Sequence, residues 1–175
     1  ILKFSPPDLY YDNFMGLLRN TVTPTSGNVE IYNKDLTKVV NGSVYIDGSV
    51  PSDRSGLVKT TGFELDLYNS AITKDFVYSS QPFVVRFTEQ CFDPLKTYVV
   101  RLTACRAVDS TTRVGEYTVG GVMQILDAAT PTEQDQEVIE WIGVSGADLI
   151  ADGVAIQAQA GSSNAYLSGL EIIEE

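Results

Sequence analysis

Histidine is absent from this 175-residue chain, and that absence excludes more than any residue present. With no imidazole there is no Ser-His-Asp triad, no Cys-His nucleophile, no His-ligated zinc and no histidine proton shuttle. Positive charge is scarce. Twelve Lys and Arg face 23 Asp and Glu, leaving a formal charge of −11. Nucleic-acid binding draws on cations that release counterions from phosphates, so this balance argues against DNA or RNA as a partner. No apolar run reaches the roughly 18 residues that a membrane-spanning helix requires. The opening Ile1 to Pro7 does not read as a signal peptide, because its apolar stretch is too short and lacks a basic start.

Cysteine is nearly absent too. Cys91 precedes the turn signal Phe92-Asp93-Pro94-Leu95-Lys96, and Cys105 closes a strand-like run that starts at Thr97. Eight steps of about 3.3 Å along a straight strand span about 26 Å, beyond the reach of a disulfide. Two free thiols are expected, as in a protein made in a reducing compartment. The bland reading of the acidic excess is solubility. Its functional alternative is a cation site, with the loop aspartates Asp109 and Asp127 as candidate calcium ligands, although no Asp-x-Asp-x-Asp-Gly loop is present. No other cofactor is indicated.

What is present follows a period of two. Residues 61–68 alternate Phe63, Leu65 and Leu67 with Glu64 and Asp66. Residues 82–88 place Phe83, Val85 and Phe87 on one face, and 97–105 place Tyr98, Val100, Leu102 and Ala104 inward. Residues 153–160 repeat the device with Val154, Ile156, Ala158 and Ala160. Shorter runs at 29–32, 39–46, 115–119, 122–126, 138–142 and 166–172 behave alike. Such short strands, punctuated by Asn41-Gly42, Asp47-Gly48, Gly120-Gly121 and Asp152-Gly153, predict an all-β antiparallel sandwich of jelly-roll type. Its predicted core is Phe63, Leu65, Phe83, Val85, Tyr98, Val100, Leu102 and Ile156. Residues 7–19 carry Leu9, Tyr10, Phe14, Leu17 and Leu18 at roughly helical spacing, so an N-terminal helix or extended arm over 1–20 is expected before a single domain over 21–175.

Four segments carry a family resemblance. Phe92-Asp93-Pro94-Leu95-Lys96-Thr97-Tyr98-Val99-Val100-Arg101-Leu102 resembles the strand opening of a galactose-binding-like jelly-roll module, and Arg113 to Gly121 is similar to that family's following hairpin. Val122-Met123-Gln124-Ile125-Leu126-Asp127-Ala128 and Ala160 to Ile172 look like its later strand-and-loop and closing strand. The resemblance covers about residues 82–175. It implies a carbohydrate-binding or malectin-like β-sandwich of the kind found beside secreted hydrolases and in phage surface proteins, and it transfers no glycan-contact residue by motif.

The chemistry candidates are few. Glu64 and Asp66 stand about 7 Å apart on one strand face in this reading, a separation that glycosidase pairs use, but alternation predicts an acidic outer face there anyway. Gly143-Val144-Ser145-Gly146 falls short of a nucleophile elbow and reads as a turn. Trp141 alternates with Ile139 and is expected in the core. Tyr68 and Tyr78, flanking the 69–74 loop, and Tyr10, Tyr11 and Phe14 in the arm are the aromatics expected to meet a glycan or a protein partner. The function expected is non-catalytic: a structural or display protein on a phage virion surface, oligomeric or part of an assembly, that also meets host glycans. The alternative is an accessory carbohydrate-binding domain of a secreted bacterial enzyme or adhesin, extracellular or at the cell surface.

Overall fold

The computed structural model describes residues 2–3, 31–32, 38–40, 44–48, 52–55, 75–104, 113–129, 138–167 and 169–175. Within them the strands are β1 (Leu2–Lys3), β2 (Ile31–Tyr32), β3 (Lys38–Val40), β4 (Val44–Gly48), β5 (Ser52–Ser55), β6 (Asp75–Ser79) and β7 (Phe83–Phe87). They continue with β8 (Thr97–Thr103), β9 (Val114–Val119), β10 (Val122–Asp127), β11 (Val138–Ser145), β12 (Val154–Ala158), β13 (Ala165–Leu167) and β14 (Gly169–Glu174). A single-turn 3₁₀ helix at Glu89–Cys91 and an α-helix, α1 (Gly146–Asp152), interrupt them.

The fold class is the all-β antiparallel sandwich that alternation predicts. A five-stranded sheet runs β10-β9-β12-β7-β4 and a four-stranded sheet runs β1-β14-β8-β11, with smaller sheets β13-β6-β5 and β2-β3. Every pairing is antiparallel. The pleat turns Phe83, Val85 and Phe87 of β7, Tyr117 and Val119 of β9, and Val154 and Ile156 of β12 into one core with Tyr98, Val100 and Leu102 of β8, Trp141 of β11, and Leu170 and Ile172 of β14. Each large side chain buried this way contributes about 1.5–3 kcal/mol of apolar transfer. Of the predicted core, Phe83, Val85, Tyr98, Val100, Leu102 and Ile156 are buried. Phe63 and Leu65 lie outside the described residues, as do Glu64, Asp66 and nearly all of the 1–20 arm.

Asp93-Pro94 makes the turn expected of it. Asp93 accepts from Leu95 N–H through its carboxylate at 3.0 Å and from Lys96 N–H through its carbonyl at 3.2 Å, while its own N–H donates to the Tyr98 hydroxyl at 3.0 Å. Phe92 then packs edge-on against both Phe87 and Tyr98, with ring centroids 5.1 Å apart in each case. Gly120 and Gly121, at φ 54° and 76°, form the tight hairpin joining β9 to β10 with positive φ at both central positions, as a type I′ turn requires.

Four expectations are corrected. Residues 143–146 are not a turn: β11 runs on to Ser145, whose hydroxyl accepts from Asp148 N–H at 3.0 Å and caps α1. Gly153 is not a hairpin residue but the C-cap of that helix, its N–H donating to Leu149 C=O at 3.1 Å. Only Gly146 and Leu149 of α1 are buried, so a helix this short carries no apolar periodicity to announce it. Third, the run at 166–172 divides into β13 and β14, which belong to different sheets, and fourth, Ala160 is exposed in a turn beyond the end of β12.

Candidate functional site

Of the aromatics expected to bind a partner, Tyr10, Tyr11, Phe14 and Tyr68 lie outside the described residues; Tyr78 lies within them. β6 pairs with β13 so that Tyr78 sits opposite Tyr166, and their rings stack at 5.8 Å with 21° between planes. Tyr78 is half-buried and Tyr166 fully buried. The Arg113 guanidinium lies 5.4 Å from the Tyr166 ring centroid and bonds the Tyr166 hydroxyl. Arg113 Nε is buried without a hydrogen-bond partner. Beneath this group the Tyr117 hydroxyl donates to Tyr166 C=O at 2.6 Å, and complete burial pushes its ionisation well above the ordinary range. Tyr117 is therefore a neutral donor that ties β9 to β13, unsuited to proton transfer near neutrality. Gly115 makes room for this ring: a Cβ there would lie 2.6 Å from the Tyr117 hydroxyl. The cluster binds three strands together, with Tyr78 as its partly open rim.

The candidate calcium ligand Asp127 is half-buried at the end of β10. Its Oδ1 accepts main-chain N–H bonds from Arg113 at 3.2 Å and Ala129 at 3.0 Å, which is the work of a turn-forming aspartate. Asp109 and Cys105 lie outside the described residues. Among the described residues no three Cys, Asp or Glu side chains gather into a metal-binding group. Cys91 is buried at 5% exposure, its Sγ 3.8 Å from the Thr88 hydroxyl. Trp141 is in the core at 4% exposure, with Nε1 donating to Val122 C=O at 2.9 Å.

The feature that sequence reasoning missed lies along the side of the sandwich where β10 and β11 end their sheets. On β10, Val122, Met123 and Ile125 are 57%, 53% and 50% exposed, and on β11 Ile142 is 70% exposed. Met123 and Ile125 share the outer face, while Leu126 is turned inward and buried. The tight β9–β10 hairpin makes Val122 and Gln124 the residues whose main chain bonds to β9, so the N–H and C=O of Met123 and Ile125 point away from the sheet. No strand among the described residues pairs with that side. From Val122 to Leu126 the strand carries no charge.

β11 is treated differently. Glu140 pairs with Arg101, and its carbonyl accepts from Gln124 Nε2 at 2.6 Å. Its register with β8 shifts between Trp141 and Val144, where Gly143 has φ 72°. No protein-family model matches the chain, and no curated protein matches it.

Proposed function

We propose that this chain is a non-catalytic structural module that docks onto protein neighbours in a surface assembly, its setting a phage virion surface. The observation that carries this reading is the exposed apolar edge of β10, paired with no further strand among the described residues, on a chain of charge −11. Free-standing sandwiches blunt such edges with charge, proline or bulges, because unpaired N–H and C=O groups beside apolar side chains recruit further strands. A strongly acidic chain repels its neighbours over most of its surface, so contacts form where charge is missing. The lack of histidine, which removes most acyl-transfer and zinc chemistries, supports a binding role over turnover.

The second reading, an accessory carbohydrate-binding domain, draws on the family resemblance over 82–175 and on Tyr78, whose half-buried ring sits at the rim of the aromatic cluster. Mass spectrometry of purified particles and a glycan array on the isolated chain separate the two. Recovery of the chain from particles supports the virion role. Glycan binding by a chain absent from particles transfers the assignment to the accessory domain, and polysaccharide turnover lost on substitution of an Asp or Glu overturns both.

A further inference from the structure

We infer that the docking partner of β10 is β10 of a second copy, the two strands pairing antiparallel about a two-fold axis at Gln124 so that the five-stranded sheets join edge to edge. This rests on the assembly reading above and names its partner.

The register follows from two independent constraints. The main-chain groups that face outward belong to Met123 and Ile125, so a hydrogen-bonded pairing must match these residues with one another. The side chains must also oppose without facing like charges. Centring on Gln124 sets Met123 opposite the partner's Ile125 and Ile125 opposite the partner's Met123, each pair exchanging both N–H···O bonds. Asp127 then falls opposite a turn glycine, Gly121, which has no side chain and nothing within 4 Å of its Cβ position. The neighbouring registers are worse. Pairing Ile125 with Ile125 brings Met123 against Asp127, and pairing Met123 with Met123 leaves Ile125 facing Gly121.

The outer face agrees with this choice. Across β9 and β10, Met123 neighbours Thr118, and Ile125 neighbours Glu116, whose carboxylate accepts from Gln157 Nε2 at 2.6 Å. In the joined sheet one row reads Thr118, Met123, Ile125, Glu116, and the symmetry-related row reads the reverse. The two glutamates therefore stand in different rows, at opposite ends. For a chain of charge −11, a self-complementary contact with its acids held apart is the arrangement that overcomes mutual repulsion. No other strand needs to be supplied.

Sedimentation velocity of the full chain from micromolar to submillimolar concentration tests the pairing. The expected result is a monomer–dimer equilibrium. Ile125→Lys should weaken it about a hundredfold, because symmetry places the buried charge in the interface twice. Leu95→Lys, on a 94% exposed turn residue that precedes β8 of the other sheet, should leave it unchanged. Circular dichroism melting of both variants confirms that each folds. The register is read separately from Gln124→Cys: oxidation should yield a 124–124 linked peptide by mass spectrometry, since a residue on the axis faces itself across a non-hydrogen-bonded pair. A chain that stays monomeric throughout overturns the inference, as does a dimer indifferent to Ile125→Lys. If such a monomer is nevertheless recovered from purified particles, the assembly reading survives and the partner is a different protein. Dimerisation by a chain absent from particles upholds the pairing and removes the virion setting.

Discussion

β10 and β11 lie side by side at the same flank of the sandwich, each the last strand of its sheet, yet they are finished by opposite rules. β11 is stitched and interrupted: Glu140 holds Arg101, its carbonyl takes the Gln124 amide, Trp141 reaches across to the Val122 carbonyl, and a register shift bends the strand. β10 turns the main-chain groups of Met123 and Ile125 outward, where no strand among the described residues pairs with them, and its apolar side chains there are about half exposed. An edge strand in a soluble fold is ordinarily closed off, and β11 shows that this chain carries the means to do so. Leaving the adjacent edge open is the difference on which the proposed assembly role depends.

The contrast can be broken first at the far end of β11. Gly146 follows that strand, donates to Lys96 C=O at 2.9 Å, and lies so close to the Asp93 turn that a Cβ would sit 2.0 Å from the Asp93 carbonyl oxygen. Gly146→Ala should destabilise the fold by about 3 kcal/mol, because both the helix start and the turn are main chain and neither can yield cheaply. Urea unfolding measures this, and a loss below about 1 kcal/mol would show the junction to be compliant.

Next is Tyr117, which pins the strand inside β10. Burial holds its phenol neutral above pH 10.0, the ordinary tyrosine value at which the unfolded chain begins to ionise. The folded state thus keeps a proton that the unfolded state sheds. This contribution is fully present below pH 10 and is lost as the pH rises, by about 1.4 kcal/mol per pH unit. Tyr117→Phe should cost about 1–2 kcal/mol near neutrality, through its lost bond to Tyr166, and should flatten the alkaline decline in melting temperature. Equal alkaline slopes in the two proteins would refute the assignment.

Trp141→Phe removes the link from β11 to the start of β10 and some core volume, for an expected loss of about 2 kcal/mol. The smallest effect belongs to the Arg101–Glu140 pair, whose side chains are about one-third exposed. Glu140→Gln should change stability by less than about 0.5 kcal/mol in equilibrium unfolding, since the role of this charge is to blunt an edge.

Much of the sandwich was legible. Phe83-Val84-Val85-Arg86-Phe87 and Tyr98 to Leu102 alternate so regularly that their inward faces could be read without a structure, and Gly120-Gly121 announced its turn. The helix was not legible because Gly143-Val144-Ser145-Gly146 reads as punctuation and the turns that follow are anchored by only Leu149, fully buried, and Ile150, partly buried. The spacing of Ser145 and Asp148, a cap followed three residues later by an acid, was the available signal. The bare edge was hidden for a different reason. Val122-Met123-Gln124-Ile125-Leu126 would read identically in a central strand, and only strand order, a long-range property, makes it terminal. The meeting of Tyr78 on β6, Tyr166 on β13 and Arg113 just before β9 is long-range in the same way, bringing together three segments far apart in the chain.

Residue-resolved amide exchange at low and high protein concentration tests the central claim directly. The account predicts that the Met123 and Ile125 amides exchange quickly in dilute solution and slow as concentration rises, while the Val122 and Gln124 amides, already bonded to β9, stay protected throughout. Protection of Met123 and Ile125 at the lowest concentration, or fast exchange unchanged at the highest, would contradict it.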